Sequence, residues 1–199
     1  MTSQRHTTER EAAERQPAGR ADELLDAARE CVLDVGLRRT TLADVARRAG
    51  VSRMTVYRQY GELGVLVSAL LTRELTRVID DVEAEVRALP TARDRLVAAA
   101  VLVVGRIDGN AVYRRVLELD PELLMPLVTE RFGSTQKVAL DLVAAQLQEG
   151  QAEGSIRAGD PHRMATAMLL TCQSFVFSAR LVDELTLAEL RLLLDGYLR

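Results

Sequence analysis

Two short helices joined by a glycine turn are the most constraining pattern in this chain, and they lie within residues 41–57. Thr41 followed by Asp44 matches the box that caps a helix N-terminus, and the apolar residues after Thr41 recur at helical spacing. Gly50 stands where the chain must turn, a position that favours a residue able to adopt positive φ. Ser52 can cap the second helix. The segment therefore predicts a helix-turn-helix.

The second of these helices divides its side chains between two faces. Val51, Val56 and Tyr60 are spaced to pack inward. The remaining surface would face the major groove of DNA or the phosphates beside it. The predicted DNA-contacting residues are Thr41, Ser52, Arg53, Met54, Thr55, Tyr57, Arg58 and Tyr60.

Positive charge is concentrated around the same segment, although the whole chain has a formal net charge of -3. Between residues 35 and 60, six arginines and one aspartate leave a local balance of +5. Such a patch suits a polyanionic phosphate backbone. The alternative is a common packing motif with a solvated arginine surface. The caps, turn and charge together favour DNA. These arginines are Arg38, Arg39, Arg47, Arg48, Arg53 and Arg58, and the aspartate is Asp44.

Residues 41–60 resemble the DNA-binding region of the tetracycline-repressor (TetR) family of bacterial transcription regulators, and the similarity extends from Ala21 to about Leu71. The resemblance implies a homodimeric repressor that binds a palindromic operator in double-stranded DNA. It also implies release by a small-molecule effector, whose identity the sequence does not give. One position departs from the family, which usually carries a lysine where this chain has Leu63 and Gly64. In the resembled family that lysine contacts a backbone phosphate. This chain is therefore expected either to bind DNA more weakly or to rely on Tyr60, Thr41 and helix-start N–H groups instead.

Helix-capping signals continue through the rest of the chain, at Thr91, Asp120, Asp160 and Thr186. No stretch shows the alternation of a half-buried strand. We predict an all-α fold with an N-terminal three-helix helix-turn-helix DNA-binding domain and a larger C-terminal helical ligand-binding and dimerisation domain. The predicted helices span residues 20–35, 42–48, 52–58, 62–88, 91–106, 110–118, 121–150, 161–181 and 186–198.

Three segments are expected along the chain: a flexible N-terminal arm over 1–16, the DNA-binding domain over 17–61, and the effector-binding and dimerisation domain over 62–199. The arm is polar and has no apolar periodicity. Its arginines could enter a DNA minor groove, but neighbouring glutamates nearly cancel their charge, which favours an arm without that role.

The segment 96–104 is apolar on every side, which predicts a helix enclosed by other helices. Small residues at Ala98, Ala99 and Ala100 could leave space between helices, and the resembled family encloses a small-molecule pocket in this region. Close helix packing would explain these alanines equally well. Each candidate pocket residue could also be an ordinary surface or core residue. These candidates are Arg106, Asn110, Tyr113, Phe132, Gln136 and Phe175.

The last two predicted helices carry more apolar surface than a terminal helix pair normally needs. They could pack on a second copy of the chain as a four-helix bundle, as the resembled family does, or on their own domain. The predicted dimer-interface residues are Met164, Met168, Cys172, Leu187, Leu190, Leu194 and Tyr197.

Residue patterns typical of enzymes are scarce in this sequence. Its two histidines, His6 and His162, are too few for a histidine-based metal site. GxSxG, phosphate-binding glycine and CxxC motifs are also missing. We therefore expect no catalytic residue, metal or cofactor.

The sequence also leads to an expected cellular location and leaves two alternative functions open. No apolar run reaches membrane-spanning length, so a cytoplasmic protein without a membrane partner is expected. The alternatives to a ligand-controlled repressor are a helical DNA-binding protein without a ligand and a small-molecule-binding helical protein with altered DNA affinity.

Overall fold

The computed structural model describes residues 3–120, 133–178 and 187–199, with side chains from residue 19 onward except at 134 and 135. This part of the chain is all-helical, as the sequence predicts. Its nine helices are α1 (Ser3–Val35), α2 (Leu42–Arg48), α3 (Arg53–Tyr60), α4 (Leu63–Val86), α5 (Ala92–Gly109), α6 (Ala111–Leu119), α7 (Ser134–Ala152), α8 (Pro161–Ser178) and α9 (Leu187–Leu198).

Helix α1 begins at Ser3, far before the predicted start at residue 20. Helical structure over residues 3–16 differs from the arm that we predicted there. The segment is rich in Ala, Glu, Arg and Gln, which have high intrinsic helix propensity and need no apolar face to continue a helix. The absence of apolar periodicity before residue 17 therefore did not indicate where the helix begins.

The chain falls into two compact units, Met1–Leu70 and Leu71–Arg199. We call them the N-terminal unit and the C-terminal unit. Their division lies within α4, whereas the domain boundary predicted after residue 61 lies just before that helix. A single helix therefore contributes residues to both units.

The N-terminal unit is built by packing α2 between its neighbours in sequence, since α2 contacts both α1 and α3. Leu24 and Val32 of α1, Val45 of α2 and Val56 of α3 are each at most 1% exposed. Ala46, also 1% exposed, is small enough to let two helices approach closely. The short helices α2 and α3 therefore depend on this shared core more than on their own length.

Helix α5 is the centre of the C-terminal unit. Towards α4, its Ala98 packs with Val78, Val82 and Val86 in one buried cluster. A second and larger cluster joins α5 to α7, α8 and α9 through Leu96, Val97, Val101, Val104 and residues of those three helices. The prediction that segment 96–104 is enclosed by other helices is confirmed.

Two of the four predicted capping signals in this unit are confirmed. The Asp94 N–H donates to Thr91 Oγ1 at 3.0 Å at the start of α5, and the Arg163 N–H donates to Asp160 Oδ1 at 2.9 Å at the start of α8. The helix starts predicted at Asp120 and at Thr186 involve residues 121–132 and 179–186, which lie outside the described residues.

The chain folds back tightly where α7 ends. A Cβ atom on Gly150 would lie 2.6 Å from Cγ1 and 3.2 Å from Cβ of Ile156, which is itself buried. The Gly150 carbonyl also accepts the N–H groups of Ser155 at 2.9 Å and Ile156 at 3.0 Å. The close approach of Ile156 therefore requires glycine at position 150.

We predict that Leu147→Ala lowers the free energy of unfolding by about 2–5 kcal/mol, because it leaves a cavity in the α5–α7–α8–α9 cluster. Leu142→Ala is the matched control on the same helix, since Leu142 is 47% exposed, and its effect should be below about 1 kcal/mol. Urea unfolding followed by circular dichroism at one protein concentration measures both. Equal effects would contradict this packing.

Candidate functional site

The predicted capping box forms at the start of α2. The Asp44 N–H donates to Thr41 Oγ1 at 3.1 Å, and the Thr41 N–H donates to the Asp44 carboxylate at 3.2 Å. The hydrogen bond from the Thr41 hydroxyl is the largest influence lowering the pKa of Asp44, and the Arg47 charge adds to it. The reciprocal bonds fix the first turn of α2.

The turn and the second cap also form as predicted. Gly50 has a φ of +66°, a conformation in which a side chain would be strained. Ser52 caps α3, because its Oγ accepts the Thr55 N–H at 3.2 Å. The core residue Val56 anchors the inner side of α3. These contacts set the direction of every outward side chain on this helix.

The outward surface of α3 combines apolar and cationic side chains. Met54 is 73% exposed and Tyr57 is 50% exposed. Arg53 and Arg58 are exposed as well. Because these positions are neighbours one turn apart, they form a continuous surface, which we call the α3 outer face. Its two positive charges suit a DNA groove lined by phosphates.

The other predicted DNA-contacting residues lie at the ends of helices. Thr41 and Ser52 are caps, and the Thr55 hydroxyl is hydrogen-bonded to the Ser52 hydroxyl at 2.9 Å. Tyr60 is the last residue of α3 and is partly buried. Gln59 Nε2 donates to its hydroxyl at 3.4 Å. The α3 outer face therefore holds half of the predicted set. Ser52, Thr55 and Tyr60 border it in sequence, whereas Thr41 caps α2.

Two of the arginines in the predicted basic patch are bound to acids of the same unit. Arg47 pairs with Asp44 at 2.7 Å. Arg48 pairs with Asp34 of α1 at 2.6 Å and with Glu30 at 3.5 Å. The hydrogen bond with Asp34 is the main cause that raises the pKa of Arg48. Arg48 therefore helps to hold α2 against α1.

The remaining positive charge is better placed for DNA. Within the described part of the chain, Arg39, Arg53 and Arg58 make no ion pair, and all three are exposed. The balance of +5 read from residues 35–60 thus overstates the charge offered to a ligand. The neutralising acids Glu30 and Asp34 lie outside that window of sequence, although they lie beside it in space.

The five candidate pocket residues that the structure describes lie in different contacts. Asn110 and Tyr113 come together at the start of α6. Arg106 pairs with Glu85, and Gln136 Oε1 accepts the Gly133 N–H at 2.6 Å. Phe175 belongs to the cluster between α5, α7, α8 and α9. The sixth candidate, Phe132, lies outside the described residues.

Asn110 and Tyr113 join the start of α6 to α4 through two hydrogen bonds. The Asn110 amide donates to Glu74 Oε2 at 3.0 Å, and its Oδ1 caps α6 by accepting the Val112 N–H at 2.9 Å. The Tyr113 hydroxyl donates to the Leu71 carbonyl at 2.9 Å. Burial, with a smaller contribution from Glu74, raises the pKa of Tyr113, so the phenol keeps its proton. We call the hydrogen bonds from Asn110 to Glu74 and from Tyr113 to Leu71 the α4–α6 contact.

The sequence analysis did not predict that Glu74 is a buried hydrogen-bond acceptor, although the sequence contains a signal for its burial. Glu74 is 4% exposed, and it lies four residues after Leu70 and four before Val78, both of which are buried. A carboxylate on the apolar stripe of a helix needs an ion-pair or hydrogen-bond partner. Here Arg77 lies 3.6 Å from Glu74 Oε1, and Asn110 donates to the other oxygen.

Most residues predicted for the dimer interface pack within their own unit. Met164, Met168, Leu190 and Leu194 are at most 3% exposed in the same cluster as α5. Cys172 and Tyr197 are partly buried against that cluster, and burial raises the pKa of Cys172 to about 11. Leu187 differs, since it is 39% exposed.

A different set of leucines is exposed on α8 and α9. Leu192 is 71% exposed, Leu193 is 56% exposed and Leu170 is 50% exposed. With Leu187 they form what we call the exposed leucine surface. The apolar residues of α9 thus occupy both sides of the helix, and only one side is covered by its own unit.

Among the residues that the structure describes, no group of three or more His, Cys, Asp and Glu side chains could hold a metal ion. No single described helix is long and apolar enough to cross a membrane, and only α5 and α6 taken together, bent by 63°, reach that length and composition.

Comparison with known proteins agrees with the helix-turn-helix geometry. Residues 24–69 match the family model described as bacterial regulatory proteins, tetR family. The chain is 38% identical over 180 residues to an HTH-type transcriptional regulator of Mycobacterium tuberculosis described as uncharacterized, covering 88% of this chain and 92% of the relative.

Solved structures share the fold at lower sequence identity. The TetR-family transcriptional repressor QsdR of R. erythropolis superposes with a TM-score of 0.70 at 20% identity, over 90% of this chain and 96% of QsdR. The transcriptional regulator FadR of Bacillus subtilis, solved in complex with stearoyl-CoA, gives a TM-score of 0.59 at 19% identity, over 89% of this chain and 98% of FadR.

The capped helix pair and the match over most of a related regulator's length lead to one assignment. The chain is a transcriptional regulator with a helix-turn-helix, not an enzyme, and it belongs to the TetR family.

Proposed function

We propose that this regulator is a cytoplasmic homodimeric repressor that binds a palindromic operator and releases it when a small molecule binds the C-terminal unit. The observation that carries the proposal is the α3 outer face, where Met54 and Tyr57 stand exposed between two exposed arginines. A second, capped helix with such a surface suits insertion into the major groove.

The contacts within the N-terminal unit support a rigid DNA-binding head. The capping box on Asp44 and the ion pairs of Arg48 to α1 hold α2, while Val56 holds α3. A recognition helix that is fixed before binding loses little conformational entropy when it enters the groove. Leu63 and Gly64 stand where the family usually has a lysine, so Arg39 is the candidate for the missing phosphate contact.

The exposed leucine surface supports the dimer. Leu170, Leu192 and Leu193 each leave half or more of their surface exposed, on two helices that follow each other in the chain. Twofold packing of α8 and α9 would cover these leucines in a four-helix bundle. We therefore propose that this surface, rather than the buried residues Met168 and Leu194, forms the interface.

The α4–α6 contact supports a route from effector to DNA. Asn110 and Tyr113 bind two positions of α4 that lie one turn apart, and α4 also contributes residues to the N-terminal unit. An effector that displaces the start of α6 would break these hydrogen bonds or carry α4 with it. A differential affinity of about 1–3 kcal/mol between the two states suffices for a 5- to 150-fold change in DNA affinity.

The effector class that we propose is a small molecule with a long apolar chain. The B. subtilis FadR structure contains stearoyl-CoA, and a fatty acid metabolism regulator of Bacillus subtilis is 22% identical to this chain over 181 residues. The helices of the C-terminal unit meet in two apolar clusters, and side chains of this apolar kind are those that line the site of an acyl chain.

Selection of bound sequences from a random pool of duplexes tests the DNA-binding proposal directly. We expect a palindrome with half-sites about one helical turn apart, or a multiple of that spacing. Arg53→Ala should then weaken binding to the selected duplex by about 1–3 kcal/mol, measured by fluorescence anisotropy at fixed salt. Arg87→Ala is the matched control, since Arg87 is 77% exposed and lies in the C-terminal unit. Equal effects of the two changes would contradict the assignment.

The proposed dimer interface predicts that Leu192→Asp combined with Leu193→Asp produces a folded monomer, because two buried carboxylates would be unpaired in the interface. Sedimentation equilibrium measures the mass, and circular dichroism checks the helices. Leu142→Asp, at a 47% exposed site on α7, should leave the dimer intact. A double variant that stays dimeric would place the interface elsewhere.

The proposed effector class predicts that stearoyl-CoA lowers the affinity for the selected duplex by about 5- to 150-fold. Coenzyme A without an acyl chain is the matched control and should have no effect. Anisotropy titrations of the labelled duplex at constant salt measure the change. Unchanged DNA affinity with saturating stearoyl-CoA would reject this class of effector and leave the DNA-binding proposal intact.

A further inference from the structure

The most exposed apolar side chain on the α3 outer face is Met54, whose exposed fraction of 73% exceeds that of every other large apolar side chain in the described part of the chain. Exposure of a methionine to water is unfavourable in the free protein, because moving apolar surface out of water lowers the free energy. Met54 is therefore better suited to contact a ligand than to stabilise its own unit.

The polar side chains beside Met54 are already engaged. The Ser52 and Thr55 hydroxyls bond to each other at 2.9 Å, and the Ser52 Oγ also accepts the Thr55 N–H at 3.2 Å. The first turn of α3 thus offers an apolar side chain to a partner, while its hydroxyl groups close the cap. One turn further, Tyr57 adds an aromatic ring that is 50% exposed.

The position of Met54 is fixed by the far side of the helix. Val56 is 0% exposed, so α3 cannot rotate without exposing a core residue. Arg53 and Arg58 border Met54 and Tyr57 in sequence, and both arginines are exposed. Cations at the edges of an apolar centre match a DNA groove, in which phosphates border the base edges.

The major groove has one apolar recognition group, the 5-methyl group of thymine, while the other base features there are hydrogen-bond donors and acceptors. Methionine is flexible and polarizable, and it can follow the shape of a methyl group. We propose that Met54 contacts a thymine 5-methyl group and so sets a requirement for thymine in each operator half-site. This inference rests on the proposed binding of operator DNA by α3.

Deoxyuridine provides the test, because it pairs like thymidine and lacks only the methyl group. Each thymine of the selected duplex is replaced in turn, in both half-sites, and Kd is measured by anisotropy at one salt concentration. For the unchanged protein, we expect loss of a contacted methyl group to raise Kd by about fourfold, the effect of about one buried methylene. At thymines outside the contact, Kd should not change.

Variants of Met54 then assign the effect to this side chain. Met54→Gln keeps the length and removes the apolar end, so Kd for the thymine and deoxyuridine duplexes should become equal. Met54→Leu keeps an apolar end and should retain the difference. Val35→Ala, at a 39% exposed apolar site of α1, is the control outside α3 and should also retain it. Because the side chain of Met54 is exposed, none of its variants is expected to alter the helical circular dichroism signal.

Three results would overturn the proposal, and they are distinguishable from a failure of the DNA-binding function. Equal Kd values for thymine and deoxyuridine duplexes with the unchanged protein would show that no methyl group is read, although DNA is bound. A deoxyuridine effect that persists in Met54→Gln would assign the methyl contact to another residue. Absence of any selected sequence would reject operator binding itself, and this inference with it.

Discussion

Enclosure of one apolar helical segment by its neighbours organises the C-terminal unit. The segment 96–104 of α5 has no polar side on which to meet water, so helices must cover it all round. The cluster with Val82 covers one side, and the cluster with Leu147 and Met168 covers another. The polar contacts at the ends of α5, including the Thr91 cap and the Asn110 junction with α6, then fix where the neighbouring helices begin.

The N-terminal unit depends more on hydrogen bonds at helix ends, because its two short helices are too brief to be stable alone. Asp44 and Ser52 satisfy N–H groups that would otherwise be unpaired, and Gly50 supplies the turn between them. Arg48 adds a tie to α1. The α3 outer face is therefore presented by a scaffold whose polar groups are largely used in holding the scaffold itself.

Local signals made the helix-turn-helix predictable, since a cap and a glycine turn act within a few residues of sequence. Partners distant in sequence were not predictable in this way. The neutralisation of Arg48 by Asp34, and the burial of Glu74 beside Asn110, depend on which helices meet. The same limit explains α9, where periodicity indicates apolar residues on the helix but not which of Leu190 and Leu192 faces the core.

The fold-back at Gly150 carries a consequence for how this sequence can change over evolutionary time. Because Ile156 occupies the space that a side chain at position 150 would need, the side chains at these two positions compete for the same volume. A larger residue at 150 is tolerable only when a smaller residue replaces Ile156. Among related chains that keep this turn, the two positions should therefore covary, with glycine opposite a branched aliphatic residue and alanine opposite a small one.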